Sequence, residues 1–137
     1  MTLVDSNVLL DIFTRTPDWW EWSLAQLEDA ALQGALLIND VIFAETSVRF
    51  ATIEEFEAVL ADAGITVAPI PRMALFQAGK ASVQYRNAGG TRSGVLPDFF
   101  IGAHAAVERL PLLTRDTRRY RTYFPTVELI TPSEGGE

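Results

Sequence analysis

The 137-residue chain contains no cysteine, which excludes disulfides, thiolate zinc sites and cysteine nucleophiles and suits a reducing compartment. Its one histidine, His104, is too few for a multi-histidine metal site. Its one lysine, Lys80, falls inside a helical pattern and not after a strand, which disfavours a receiver-like phosphoacceptor domain. No apolar run reaches the ~18 residues of a membrane span. The N-terminal stretch "MTLVDSNVLLDIF" has acids where a secretory signal has a basic start. Neither export nor membrane insertion is expected, and a cytoplasmic protein is. Positive charge is also scarce, with 11 Lys and Arg against 18 Asp and Glu for a net charge of −7. This argues against coating of DNA by bulk attraction, but the distribution of charge is uneven. Residues 1–71 carry two arginines against twelve acids, a balance of −10, whereas residues 72–137 carry nine basic residues against six acids, a balance of +3. The second half can place a basic rim beside an acidic centre, although solvated faces alone can produce the same imbalance.

A 48% hydrophobic content is enough for one real core. Apolar runs with little period-two alternation, "TLVD", "ALLI", "ITVAPI", "PLLT" and "VELI", read as about five short buried strands, and amphipathic segments separate them. "SNVLLDIFT" is helical from Ser6. "PDWWEWSLAQLEDAALQG" has Pro17 near its start and Trp20, Leu24, Leu27 and Ala31 on one stripe. "NDVIFAETSVRF" opens on Asn39 as an N-cap, and "TIEEFEAVLADAG" carries the capping-box pair Thr52 and Glu55 before Gly64. "PRMALFQAGKASVQYRNAGG" begins with Pro71 at its first helical position, "LPDFFIGAHAAVERL" has Pro97 near its first turn, and "DTRRYRTYF" is a short helix. Alternation of this kind predicts a parallel sheet with helices on both faces, a three-layer α/β/α domain over residues 1–132, with residues 133–137 a frayed tail.

In open sheets of this class the site lies beyond the carboxyl ends of the strands. Asp5 ends the first strand, and Asp116 follows the fourth with one residue between. Asp98 occupies the first turn of its helix and shares a face with Ile101, Gly102 and Ala105. Glu45 interrupts an apolar helix beside Val41, Ile42, Ala44 and Val48. Four carboxylates from four segments can converge on one pocket, where mutual repulsion raises their pKa values or calls for a cation. Oxygen ligands without sulfur suit Mg²⁺ or Mn²⁺. Such ions serve attack of activated water on a phosphodiester. Each acid also has a structural reading: Asp5 and Asp116 as N-caps, Asp98 as a helix-dipole partner, Glu45 as a partner of an arginine.

The patterns "VDSNVLLDIF", "NDVIFAET", "LPDFFIGAHA" and "LLTRDTRRYRTYFP", in this order, resemble the PIN-domain family, and most closely its VapC-type ribonuclease toxins of toxin–antitoxin pairs. The resemblance spans nearly the whole chain. It implies a metal-dependent endoribonuclease in which Asp5, Glu45, Asp98 and Asp116 are catalytic and hold Mg²⁺ or Mn²⁺, Asp5 and Asp98 most directly. Asn7 and Thr114 would support these acids by hydrogen bonds. It further implies an RNA substrate such as tRNA or rRNA, a cognate antitoxin whose C-terminal segment covers the acidic site, and a homodimer within a larger toxin–antitoxin complex.

Arg86, Arg92, Arg115 and Arg118 are candidate phosphate contacts at the rim. His104, about 240° around its helix from Asp98, points away from it. Trp19 and Trp22 flank the stripe of their helix and offer a partner surface or core packing, and "SVQYRNAGGTRSG" is either a lid or a plain connection. A catalytically silent PIN module that binds protein is the alternative function. A phosphoaspartyl hydrolase would need a second aspartate where Asn7 stands.

Overall fold

The computed structural model describes residues 1–132, and the expected tail at 133–137 lies outside them. Five short parallel strands form the sheet: β1 (Thr2–Val4), β2 (Leu36–Ile38), β3 (Ile65–Val67), β4 (Leu112–Leu113) and β5 (Leu129–Ile130), in the order β3-β2-β1-β4-β5. Among the described residues, seven helices connect and cover them: α1 (Ser6–Thr14), α2 (Trp20–Gln33), α3 (Asp40–Ser47), α4 (Ile53–Asp62), α5 (Arg72–Asn87), α6 (Pro97–Glu108) and α7 (Arg118–Tyr123). The result is the expected three-layer α/β/α arrangement.

The strands read as apolar runs because the central ones are buried. Leu3, Val4, Ile38, Leu112 and Leu113 are fully inaccessible and pack with Val8, Ile42, Phe56, Phe99 and Ile101 from the helices. From β1 the chain moves outward to β2 and β3, then returns to lay β4 and β5 on the other side. The order therefore reverses between β1 and β4, and a crevice opens at their carboxyl ends. Asp5 and Thr114 both stand there.

Local chemistry sets the helix starts. Asp5 accepts from the Ser6 N–H at 2.7 Å, Asn39 Oδ1 from the Ile42 N–H at 3.0 Å, and Thr52 Oγ1 from the Glu55 N–H at 3.2 Å. Helix α5 starts one residue later than expected, because Pro71 is extended (ψ 151°) and serves as the cap. Helix α2 begins at Trp20, since Asp18 takes a left-handed conformation (φ 71°) that breaks the turn after Pro17. Its buried line is Ser23, Leu27 and Ala30, not the expected stripe through Ala31, which is exposed. The polar Ser23 belongs inside because its hydroxyl donates to the buried Asp11 at 2.9 Å.

Gly102 makes one close approach possible. A Cβ there would lie 2.3 Å from the Phe124 ring, so only glycine lets the C-terminal end of α7 press onto α6. That contact fixes the short helix from which Arg119 and Tyr120 reach toward the crevice.

Candidate active site

Asp5, Glu45, Asp98 and Asp116 line one open depression of about 210 Å³, together with Ser6, Asn7 and Leu10. Asp5 is its fixed point, 4% exposed. One carboxylate oxygen caps Ser6. The other accepts from the Tyr120 hydroxyl at 2.7 Å and from the Thr114 hydroxyl at 2.8 Å. Thr114 accepts in turn from Asn7 Nδ2 and from the Asp116 N–H, both at 3.1 Å, while Asn7 Oδ1 receives the Arg115 N–H at 3.3 Å. These bonds tie the ends of β1 and β4 into one polar seam. Glu45 reaches the seam by accepting the hydroxyl of Ser6, and among the described residues its ion pair with an arginine, the structural reading of this acid, is not formed.

Burial pushes the Asp5 carboxyl up to about 6, the nearby Asp98 charge adds to the rise, and the bonds from Tyr120, Thr114 and Ser6 oppose it. The same surroundings raise the Tyr120 hydroxyl far above its ordinary value, so it stays a neutral donor. Asp98 is less buried and takes a single contact from Arg119 Nη1 at 3.1 Å.

The four acids ring the depression without crowding one point. Among the described residues, no three His, Cys, Asp or Glu side chains are grouped as a ready metal-binding cluster. Arg119 holds Asp98 and Ser6 holds Glu45. The donor chemistry nonetheless fits a hard divalent ion: four carboxylates line the depression with the oxygen-bearing side chains of Ser6 and Asn7, and neither sulfur nor imidazole intrudes.

His104 is buried, and its Nδ1 lies 3.1 Å from Asn39 Nδ2, consistent with packing away from the acids. The four candidate rim arginines differ. Arg115 is committed elsewhere: its Nε and Nη2 clasp the buried Asp11 at 2.6 and 2.9 Å, and its guanidinium lies over Trp19. Arg86 turns back to Ser82 on its own helix at 2.8 Å. Arg118 is exposed beside Asp116, to whose carboxylate its N–H donates at 3.4 Å. Arg92 is also exposed, with its N–H 3.5 Å from the Tyr85 hydroxyl. The segment "SVQYRNAGGTRSG" is helical as far as Asn87 and then pinned, since Ser82 Oγ donates to the Gly94 carbonyl at 3.1 Å.

Neither Tyr120 nor Arg119 stands out in the sequence as a site residue. "RRY" supplied a signal only in retrospect, because an aromatic followed the basic pair in the last short helix. Asp11 was likewise hidden within the apolar pattern of α1.

A parallel three-layer fold with four acids around its switch point defines a class of α/β domains that work on ligands at the strand ends. The PIN-domain family model matches residues 2–125, and the chain belongs to that family, whose domains are nucleases. Solved structures share the fold at low identity. VapBC2 from Rickettsia felis, bound to a DNA fragment from its promoter, superposes with a TM-score of 0.71 at 17% identity, over 96% of this chain and 98% of that one. DNA-bound VapBC from Salmonella typhimurium gives 0.68 at 15%, over 96% and 98%. A toxin–antitoxin complex from Klebsiella pneumoniae gives 0.64 at 22%, over 98% and 100%. No curated protein matches the chain significantly.

Proposed function

We propose that this protein is the toxin of a toxin–antitoxin pair, a Mg²⁺- or Mn²⁺-dependent endoribonuclease that hydrolyses phosphodiester bonds of tRNA or rRNA. The observation that carries the reading is the meeting of Asp5, Glu45, Asp98 and Asp116 around a single depression at the strand ends. The similarity to toxin–antitoxin complexes supports the biological role.

Each acid has a distinct part. Asp5, held by four donors from Ser6, Asn7, Thr114 and Tyr120, presents a fixed carboxylate at the floor and is a direct ligand. Asp98, on the first turn of α6, is the second direct ligand and leaves Arg119 to take that role. Glu45 and Asp116 close the site, and the more exposed Asp116 is placed to orient the attacking water and receive its proton. Asn7 and Thr114 keep Asp5 and the Asp116 loop in register. When bound, the divalent ion supplies a water made nucleophilic at neutral pH and offsets the charge of the phosphate.

Residues 1–132 form the nuclease domain in this reading, acting in the cytoplasm as a homodimer inside a larger complex. The antitoxin silences the enzyme by covering the depression. No helix among the described residues is long and apolar enough to cross a membrane.

Calorimetric titration with Mn²⁺ tests the metal-binding part of this account. The wild-type protein is expected to bind, and Asp5→Asn and Asp98→Asn to bind at least tenfold more weakly. Wild-type protein that takes up no Mn²⁺, or takes it up unchanged in both variants, would favour a silent protein-binding module.

A further inference from the structure

Beside the acidic depression lies a second hollow, about 240 Å³, walled by Tyr85, Arg118, Arg119, Thr122 and Tyr123. It is smaller than the ~300–1,000 Å³ of sites for drug-sized molecules. Arg119 joins the two hollows, since it walls one and touches Asp98, which lines the other. The wall combines two guanidinium groups, two phenol rings and one hydroxyl, with no carboxylate.

The rings are held in place. Tyr85 meets Phe99 and Tyr123 edge to face, with centroids 5.7 and 6.4 Å apart. The backbone of Gly90 lies so close behind Tyr85 that a Cβ there would come within 2.5 Å of the ring. Arg119 lies 5.8 Å from the same ring, and its side chain keeps about a third of its surface in water. It bonds Asp98 through Nη1 and also meets the Tyr85 hydroxyl, so a guanidinium with five N–H donors bridges the ring and the acidic depression and has further donors to turn toward a ligand. Proteins that hold single-stranded nucleic acid use this pairing of cationic groups with aromatic rings. Guanidinium groups grip phosphate in a planar fork, and every base has a face to stack.

We infer that this hollow is a nucleotide subsite, which receives one unpaired base of the RNA next to the scissile bond, stacked on Tyr85, while Arg118 and Arg119 hold its phosphate. The inference rests on the nuclease reading and sharpens it: the cleaved position lies in a loop, bulge or strand end, because a base within a duplex cannot leave its stack without cost.

The test is binding of short unpaired fluorescein-labelled oligoribonucleotides, followed by anisotropy in EDTA. One carries every base and the others carry an abasic residue at each position in turn. Wild type is expected to bind the complete strand about tenfold more tightly than one of the abasic strands. Tyr85→Leu should lose that discrimination and Tyr85→Phe should keep it. Arg118→Gln should weaken all strands alike and reduce the salt dependence by about one phosphate contact. Discrimination that survives in Tyr85→Leu, or a wild type blind to abasic residues, would overturn the subsite. Cleavage in Mn²⁺ is measured separately. Cleavage without Tyr85-dependent binding leaves the nuclease reading and removes the subsite, whereas Tyr85-dependent binding without cleavage removes the nuclease reading and with it the place of the base beside a scissile bond.

Discussion

Tyr120 and Asp5 are 115 positions apart in sequence, and the tyrosine hydroxyl lies 2.7 Å from the Asp5 carboxylate. Both are nearly inaccessible to water, so this bond helps to decide where the carboxylate points. Replacing Tyr120 by Phe keeps the ring in the core and deletes only the donor. Mn²⁺ affinity, measured by calorimetry, should fall roughly tenfold, the scale expected when an outer partner of a ligand is lost. The melting temperature should change little, because Asp5 keeps Thr114 and Ser6. Unchanged affinity would assign Tyr120 to packing alone.

Asp5 also destabilises the fold it serves. Its folded pKa, about 6, lies above its ordinary 3.8, so the native state binds the proton more tightly than the unfolded chain does. The resulting stability is fully present below about pH 4 and is lost as pH rises through about 6. Asp5→Asn removes the ionisation and keeps a capping side chain. At pH 7.5 the variant should be more stable than wild type by on the order of 2–3 kcal/mol in denaturant titrations, with the gain vanishing near pH 4. RNA cleavage should be lost. A variant less stable at pH 7.5 would show that hydrogen bonds to the carboxylate outweigh its burial.

Arg115 and Asp11 form the clasp that secures the loop bearing Thr114 and Asp116. Among the described residues, Arg115→Met leaves the buried Asp11 carboxylate with the Ser23 hydroxyl as its one side-chain donor. The loss should be about 2–3 kcal/mol, below the ~3–5 of a fully buried pair because Arg115 is partly solvated. Urea denaturation of Arg115→Met, and of the double variant with Asp11→Leu, checks this. The second change should restore much of the stability, and a double variant weaker than Arg115→Met would contradict the account.

The strands and helices were legible because short apolar runs and capping residues act locally. Asn39 and Thr52 cap the helices that their positions predicted. The acids were legible for a topological reason: Asp5 and Asp116 follow strands, and a parallel sheet gathers strand ends at one edge. What stayed hidden depends on side chains that meet across the fold. Arg115 read as a free rim cation because nothing in "LLTRDT" reveals the carboxylate waiting 104 positions away on α1. Ser23 lies off the apolar stripe expected for its helix, and its burial follows from the same Asp11. Arg119 and Tyr120 looked like ordinary members of "RRYR", yet one bonds Asp98 and the other Asp5. Periodicity cannot show such pairs: α7 brings Arg119 and Tyr120 to α6 and the end of β1, while the packing of α2 and of the β4–α7 loop against α1 brings Ser23 and Arg115 to Asp11.

The most direct measurement is cleavage of a mixed tRNA and rRNA preparation by the purified protein, freed of any antitoxin, with Mn²⁺ or with EDTA, alongside Asp98→Asn. The account predicts cleavage by wild type in Mn²⁺, its loss in EDTA, and a fall of at least a hundredfold in the variant, on the order of the ~2.7–4 kcal/mol attached to losing one group that stabilises developing charge. Equal cleavage by both proteins in EDTA, or none by wild type in Mn²⁺, would contradict it.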